Sequence, residues 1–237
     1  MTSPHASHSE LQDTDDRGLP IFQIRDRSSS SKRQTISLMA LREFHRGGFS
    51  GASIDAIADA AKVSKPTIYR HFGNKERLFL GVVAEALSSA YRHLPVLASS
   101  LPFRQVASQD EVALLLERFL SEAAKAVLGE QIISLRRLVI GEAERFPQLA
   151  SLWASINDEM LNEPLMEAFW VLEQQGLLQL ADRALAAQQL IALTIGAPQL
   201  VMTFHTDIAE ESETRRYLTS GISLFLSYYS KDRHESR

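Results

Sequence analysis

Beyond its first thirty residues, the chain repeats apolar positions at the spacing of an α-helix. Ile36, Ala40 and Phe44 follow one another at four-residue steps, and the run ends at the letters RGGF, where a glycine can adopt the left-handed conformation that terminates a helix. Helical periodicity continues towards the C-terminus, and no segment alternates apolar and polar residues as a half-buried strand would. The pattern predicts an all-α protein of about nine helices.

Two short helices are predicted directly after this first helix. Ser53 precedes the letters IDAIADAA and Ser64 precedes KPTIYRHF, and a serine at either place can cap the helix that follows. Pro66 falls in the first turn of the second short helix, where no intrahelical hydrogen bond is lost. Two short helices joined by a tight turn form a helix-turn-helix, whose second helix enters the major groove of DNA.

Capping residues and prolines mark the remaining helices. Asn74 precedes a fourth helix, which is predicted to run to about Leu94 and to end before Pro95. Further helices follow, and the breaks between them are predicted at Gly129, at Pro147, at Gly176 and around residues 206–212. Pro198 is expected to bend its own helix.

The letters KPTIYRHF carry two different helix faces. At about 100° per residue, Ile68 and Phe72 fall on one side and are expected to pack inward. Pro66, Thr67 and Arg70 project the other way. The second helix of the motif therefore offers its polar side to a duplex.

The polar side chains suit direct contact with DNA. Lys65 and Arg70 can donate hydrogen bonds to guanine edges or phosphates, and Thr67 can offer its hydroxyl or its methyl group to a base. Three further donors suit phosphate oxygens: Tyr69, His71 and Lys75. Each of these residues, taken singly, is also compatible with an ordinary packing or surface role. Their joint spacing favours a DNA-reading helix.

Charge is distributed unevenly along the chain. The formal net charge is −4, but residues 25–77 hold eleven Lys/Arg against five Asp/Glu, a balance of +6. The other residues carry a balance of −10. A basic module joined to an acidic one is expected of a DNA reader attached to a second domain. A solvated basic face is the alternative.

The segment SIDAIADAAKVSKPTIYRHFGNKERLF resembles the DNA-binding segment of the tetracycline-repressor (TetR) family. That family combines an Ile-Ala helix, Ala-Gly-Val-Ser, a short Thr-(Leu/Ile)-Tyr-x-His-Phe helix and Lys-Glu-x-Leu, and the resemblance covers roughly residues 32–82. Lys62 replaces the usual turn glycine, which implies a strain of about 1 kcal/mol in a left-handed conformation. By resemblance, Ser53 caps a helix and touches phosphate. Further family positions face bases at Ser64, Lys65, Pro66 and Thr67, and face phosphates at Tyr69, His71 and Lys75.

A second resemblance lies in the C-terminal half. The letters LRRLVIGEAERFPQLASLW, residues 135–153, resemble the AefR-like C-terminal subgroup of the same family. The resemblance implies a helical domain that dimerises and usually holds a small-molecule pocket. We therefore predict a disordered extension (1–30), a three-helix helix-turn-helix DNA-binding domain (31–77), a helical ligand-binding and dimerisation domain (78–230) and a flexible tail (231–237).

A homodimer is expected because one short recognition helix reads too few bases, whereas a two-fold pair reads two half-sites. The predicted interface lies on the last two helices, whose apolar residues occur on nearly all sides. Its candidate residues are Leu190, Leu193, Ala197, Leu218, Ile222, Phe225 and Tyr229. The alternative for these residues is a core within one protomer.

A ligand pocket is predicted from the large or adaptable apolar residues of the middle helices, with a few polar members. The apolar candidates are Trp153, Met160, Met166, Phe169, Trp170, Met202 and Phe204. The polar candidates are Arg137, Asn157 and His205. The alternative is that most of the apolar residues belong to the core.

Catalysis is not expected. The sequence lacks cysteine, nucleophile elbows, phosphate-binding glycine loops and zinc-binding His-Glu-x-x-His, so no cofactor or metal is predicted. Glu142, Glu144 and Arg145 are interpreted as a solvated helix end. No apolar run of membrane-spanning length and no leader segment is recognised, so a cytoplasmic location is expected.

The sequence thus predicts a bacterial homodimeric repressor that binds a double-stranded, near-palindromic DNA operator. A small apolar or amphipathic ligand would release it. The alternative is a module of the same fold that binds a ligand or a protein without a DNA function.

Overall fold

The computed structural model describes residues 27–205 and 211–231. These residues form helices and connecting turns without a strand, and one isolated bridge pairs Leu178 with Ser230. The all-α prediction is confirmed. The predicted disordered extension lies outside the described residues except for its last four, which are helical, and the predicted tail lies outside them except for residue 231.

The chain forms two compact units. The first comprises residues up to Ala86 together with Leu138–Leu152, and the second comprises Leu87–Arg137 together with residues from Trp153 onward. The first unit therefore includes more of the chain than the predicted domain 31–77.

The first unit contains the predicted helix-turn-helix. Its helices are α1 (Arg27–Gly51), α2 (Ile54–Ala61), α3 (Lys65–Phe72) and the greater part of α4 (Lys75–Tyr91). Helix α1 begins earlier than the predicted position near residue 32, because a helix that is already nucleated extends easily through serines of only moderately lower propensity. Gly48 interrupts α1 with φ 64° and ψ −174°, at the predicted break.

Aromatic rings occupy the core of the first unit. Phe44 and Phe79 are fully buried, and their ring centroids lie 4.9 Å apart in an edge-to-face arrangement. Phe49 and Phe146 extend this cluster, with centroids 4.8 Å apart and an interplanar angle of 70°. Such pairs are the preferred geometry of aromatic packing, so the segment around Phe146 belongs to the core of this unit.

The remaining helices lie wholly or partly in the second unit. They are α5 (Leu94–Ser100), a 3₁₀ turn (Phe103–Gln105), α6 (Gln109–Val127), α7 (Glu130–Glu142), α8 (Gln148–Asn157), α9 (Glu163–Gln174), α10 (Arg183–Ile191), α11 (Ala197–Phe204) and α12 (Glu211–Tyr229). The predicted breaks at Gly129, Pro147 and Gly176 are all present.

The predicted end of α4 is wrong. The helix ends at Tyr91, and Pro95 lies in the first turn of α5 instead of terminating the preceding helix. Proline is tolerated in a first turn because the N–H that it lacks has no intrahelical acceptor there.

Two π turns interrupt long helical rods. The turn Asp158–Asn162 joins α8 to α9, and the turn Ala192–Gly196 joins α10 to α11. Each is followed two residues later by a proline, Pro164 or Pro198. If each joined pair is taken as one helix, the described part of the chain contains nine helices of eight or more residues, as predicted.

Helix α12 packs closely on the second π turn. A Cβ atom placed on Gly221 would lie 2.6 Å from Thr194 Cγ2 and 2.9 Å from the Leu193 carbonyl oxygen. Thr194 is fully buried and donates its hydroxyl to the Leu190 carbonyl at 2.7 Å. Only glycine therefore fits at position 221, where α12 crosses the π turn.

Candidate nucleic-acid interface

Helix α3 has the two faces that the sequence predicts. Ile68 and Phe72 are 0% and 1% exposed and anchor the helix to the rest of the first unit. Lys65, Pro66 and Arg70 are exposed. A short helix held by two apolar anchors therefore presents its polar residues to solvent.

Serine caps fix the start of both motif helices. Ser53 Oγ accepts from the Ala56 N–H and Ser64 Oγ accepts from the Thr67 N–H, each at 3.3 Å. The hydroxyls of Ser64 and Thr67 also lie 2.9 Å apart within hydrogen-bond distance. Ser64 and Thr67 are thus oriented together at the leading end of α3.

Lys62 takes the left-handed conformation that the turn requires. Its φ and ψ are 54° and 45°, and it is the one non-glycine residue with positive φ in the described chain. The Val63 N–H donates to the Ala58 carbonyl at 3.0 Å and closes the turn. The turn geometry is therefore kept although the glycine is absent.

Lys75 lies against residues 48–53, which run from the interruption of α1 at Gly48 to the cap of α2 and which we call the α1–α2 loop. Its ammonium group is 4.8 Å from the centre of the Phe49 ring and 3.5 Å from the Ser50 carbonyl oxygen, to which it donates. Asn74 Oδ1 accepts from the Arg77 N–H at 2.8 Å, which confirms the predicted cap of α4. The predicted phosphate donor is therefore held at a defined place.

Basic side chains surround His71. Desolvation lowers the pKa of His71 below its usual value, and the charges of Arg70, Arg33 and Lys32 lower it further. Arg33 also lies over the Phe72 ring, with its guanidinium carbon 5.3 Å from the centroid. The first helix thus adds positive charge beside α3. Tyr69, the remaining predicted donor on α3, is 39% exposed.

The interpretation of residues 142–145 as a wholly solvated helix end is wrong. Glu142 accepts a hydrogen bond from the Phe49 N–H at 2.8 Å, and Arg145 donates to Ser50 Oγ at 3.0 Å. Only Glu144 of the three charged residues stays exposed without such a contact. The letters EAERF, already recognised as part of a family pattern, were the signal for this contact.

The residues predicted for a ligand pocket are dispersed in the second unit. Met166 and Trp170 line a cavity of about 930 Å³ with Phe103 and Arg104. Phe204, in contrast, is 79% exposed.

Other pocket candidates have structural contacts. Arg137 donates to the carbonyl oxygens of Met202 and His205 at 2.6 and 2.5 Å, so it closes the end of α11. Asn157 donates to the Trp153 carbonyl at 2.8 Å. The buried ring of Phe169 stacks on Phe225, with centroids 5.2 Å apart, and Met160 is half-buried.

The residues predicted for a dimer interface fall into two groups. Leu190, Leu218, Ile222 and Phe225 are buried inside their own protomer. Leu193 and Ala197 are exposed and Tyr229 is half-buried. Periodicity cannot separate these groups because a core and an interface both require apolar residues.

A set of exposed apolar side chains accompanies Leu193, and the sequence singled out only Phe204 among them, as a pocket candidate. The set comprises Leu185, Leu200, Val201, Phe204, Leu224 and Tyr228, and we call it, with Leu193, the outer apolar face. A cavity of about 840 Å³ lies among Leu185, Leu193, Leu224 and Tyr228. By length and composition alone, the rod Arg183–Phe204 could cross a membrane, yet core helices of globular proteins pass the same test.

Among the described residues, no group of three or more His, Asp or Glu side chains is placed to hold a metal ion.

Two family models match the chain. Residues 39–82 match the model described as bacterial regulatory proteins of the tetR family, and residues 115–231 match the C-terminal domain of AefR-like transcriptional repressors. Each match includes one of the two segments whose letters resemble that family.

Curated relatives match about a third of the chain. The repressor SCO4008 of Streptomyces coelicolor is 36% identical over 70 residues, which are 30% of this chain and 36% of that protein. The regulator RutR of Escherichia coli K12 is 36% identical over 63 residues, 27% of this chain and 30% of that protein. The match thus spans about a third of the length of these relatives.

Solved structures match nearly the whole chain. A TetR-family regulator from Mesorhizobium loti is 27% identical with a TM-score of 0.73, over 88% of this chain and 100% of that one. The flavonoid-responsive regulator FrrA is 27% identical with a TM-score of 0.67, over 85% of this chain and 98% of that one. The chain therefore belongs to the TetR family of bacterial regulatory proteins and carries a C-terminal domain of the AefR-like type.

Proposed function

We propose that this protein is a sequence-specific DNA-binding regulator of transcription, most simply a homodimeric repressor that a small apolar or amphipathic ligand releases from a near-palindromic operator. The arrangement of α3 carries this proposal: Ile68 and Phe72 are buried on one side, while the donors project from the other. A regulator of this kind acts in the bacterial cytoplasm and needs no catalytic group.

The proposed contacts divide into two classes. The exposed side of α3 reads bases, with Lys65 at its leading end and Arg70 in its last turn as donors. Ser64, Pro66 and Thr67 complete the base-facing group. Side chains around it hold the phosphates and set the register of the helix in the groove. This second class comprises Ser53, Tyr69, His71 and Lys75.

The first experiment is selection of bound duplexes from a random DNA pool, followed by fluorescence anisotropy of the enriched duplex at several salt concentrations. We expect an enriched palindrome and a steep loss of affinity with salt, because phosphate contacts release counterions. A folded protein that enriches no sequence contradicts the proposal.

Two pairs of variants separate the proposed roles. Lys75→Ala and Tyr69→Phe should weaken binding to every duplex, and Lys75→Ala should reduce the salt slope by about 1. Lys65→Ala and Thr67→Ala should instead change which base is preferred in a repeated selection. Unchanged affinity and preference in all four variants would place the DNA-binding face elsewhere.

The outer apolar face is the proposed surface of the homodimer. Within the protomer, 39% of the most apolar window of the rod Arg183–Phe204 is buried, so much of its apolar surface is left to a partner. Leu224→Glu should yield a monomer in analytical ultracentrifugation. Leu114→Glu, at a 65% exposed leucine of α6, is the matched control and should remain dimeric.

A planar aromatic molecule is the proposed ligand class. The structural relative FrrA is described as flavonoid-responsive, and in this chain Trp170 is 46% exposed beside the cavity that it forms with Met166. Stacking on such a ring is a common mode of aromatic recognition. Apigenin, a planar flavone, should release the operator from the parent and less effectively from Trp170→Ala. Equal release from both proteins contradicts this site.

A further inference from the structure

The end of α7 holds the loop that leads into the helix-turn-helix. This loop, residues 48–53, connects α1 to the capping residue of α2, and it contacts Glu142, Arg145 and Phe146, all in the first unit. We call Glu142 and Arg145 the loop clamp. None of the roles proposed so far for DNA contact includes these two residues.

Glu142 fixes the backbone of the loop. Its Oε1 accepts from the Phe49 N–H at 2.8 Å. The same oxygen lies 3.0 Å from the place that a Cβ on Gly48 would occupy, and Gly48 has φ 64°. A carboxylate therefore sits directly on a backbone turn that only glycine adopts without strain.

Arg145 fixes the side chains of the loop. Its guanidinium donates to Ser50 Oγ at 3.0 Å, and its central carbon lies 4.3 Å from the centre of the Phe49 ring. The Phe146 ring contacts the same Phe49 ring edge-to-face. Arg145 thus makes a charged hydrogen bond to Ser50 and a cation–π contact with the neighbouring Phe49.

The clamped residues lead to the proposed phosphate contacts. Lys75 donates to the Ser50 carbonyl oxygen and lies over the Phe49 ring, so its ammonium group depends on the position of both residues. Three residues after Ser50, Ser53 caps α2. A shift of the loop would move Ser53 and Lys75 together.

We infer that Glu142 and Arg145 are positioning residues for operator recognition, which keep Ser53 and Lys75 in register with the phosphates. This inference rests on the proposed DNA-binding function. An acidic group in a DNA-binding unit repels phosphate, so a purely electrostatic role for Glu142 predicts tighter binding when it is removed. A positioning role predicts weaker binding when Glu142 is removed, so the affinity of such a variant distinguishes the two roles.

The test compares Glu142→Ala, Glu142→Gln and Glu144→Ala at a temperature at which all are folded by circular dichroism. All three variants lose one negative charge, and of the two substitutions at position 142 only glutamine keeps an acceptor for the Phe49 N–H. We expect Glu142→Ala to bind the selected operator about tenfold more weakly, as for loss of a charged hydrogen bond. Glu142→Gln should restore affinity to the level of Glu144→Ala, the matched control. Affinity for a non-operator duplex should change equally in all three.

Arg145→Lys tests the other half of the clamp without changing charge. Lysine cannot combine the hydrogen bond to Ser50 with a planar stack on Phe49. We expect a several-fold loss of operator affinity, with the affinity for a non-operator duplex within about twofold of the parent, because counterion release depends on charge. An operator affinity equal to that of the parent would exclude Arg145 from positioning.

Amide hydrogen exchange separates this inference from the proposed function because it needs no DNA. Glu142→Ala should accelerate exchange in the segment 49–56 relative to Glu144→Ala, and exchange at the parent rate overturns the clamp itself. Faster exchange with unchanged operator affinity overturns the positioning role. A parent protein that binds no selected duplex contradicts the proposed function instead, while the exchange result still decides whether the clamp exists.

Discussion

The ammonium group of Lys65, at the start of α3, lies 3.0 Å from a carboxylate oxygen of Asp55 in α2. The hydrogen bond that Lys65 donates to Asp55, together with the charge of that carboxylate, raises the pKa of Lys65. Both side chains are exposed, so the pair is open to competition from solvent and from DNA. In the proposed complex, Lys65 therefore exchanges the Asp55 carboxylate for a group of the DNA.

Asp55→Asn should make binding tighter but less selective. The substitution removes a competitor for Lys65 and a negative charge that faces the duplex, so any phosphate can attract the freed ammonium group. We expect the affinity for a non-operator duplex to rise several-fold and the ratio of operator to non-operator affinity to fall. Anisotropy titrations with both duplexes at one salt concentration measure this ratio. Asp59→Asn, an exposed site in the same helix, gives the effect of net charge alone. Equal ratios for the two variants would show that the pair has no role in selectivity.

Lys62→Gly should stabilise the fold relative to Lys62→Ala. Both substitutions remove the same charge, but only glycine adopts φ 54° without steric strain. We expect a difference of about 1 kcal/mol in the free energy of unfolding, measured by urea denaturation of the two variants. No difference would mean that the turn relaxes out of the left-handed region when lysine is replaced.

Operator affinity should rise as the pH falls, and His71 should be responsible. Neighbouring cations and desolvation lower the pKa of His71 in the free protein, whereas DNA phosphates would raise the pKa in the complex. Proton uptake therefore accompanies binding between these two pKa values, and affinity levels off below the lower one. Titrations from about pH 8 to pH 5 should show this rise in the parent and a flatter profile in His71→Gln. His93→Gln is the control and should follow the parent.

Tyr91→Phe should stabilise the protein. The Tyr91 ring is fully buried, and no hydrogen-bond partner for its hydroxyl is present among the described residues. An orphaned buried hydroxyl loses its hydration without compensation, so its removal should add about 1 kcal/mol to the free energy of unfolding at neutral pH. A less stable variant would show that the hydroxyl is satisfied, for instance by an internal water.

The pH dependence of that variant has a definite sign. Burial raises the pKa of Tyr91, so the unfolded chain ionises this phenol before the folded chain does. The contribution of the un-ionised Tyr91 side chain to the free energy of unfolding is fully present below about pH 10. This contribution is lost as the pH rises above that value. The advantage of Tyr91→Phe over the parent should therefore grow above pH 10 in parallel denaturation curves.

Local signals explain why the motif helices were predictable. Ser53 and Ser64 each decide the start of a helix through a contact three residues along the chain, and both starts lie where the sequence predicts them. The inward side of α3 followed from Ile68 and Phe72 for the same reason. Where the interacting residues are close together in the sequence, periodicity and capping signals were sufficient to predict the helix.

The rest of the site depends on contacts that no local pattern contains. Glu142 and Phe49 are 93 positions apart in the chain, and the partner of Lys65 lies in the preceding helix. Pro95 illustrates a different difficulty, because proline is compatible with both the end of one helix and the first turn of the next. The π turns were not anticipated, since one added residue shifts a helical pattern without removing it.

That added residue has a geometrical consequence for α11. One position in a helix corresponds to a rotation of about 100° about the axis, so the π turn at Ala192–Gly196 sets the angular phase of everything after it. Leu200 and Phe204 face outward in that phase. A chain with the same α11 letters but one residue fewer upstream would turn these side chains by more than a quarter of a revolution. Which side chains of α11 are exposed thus depends on the length of the preceding π turn as well as on the composition of α11.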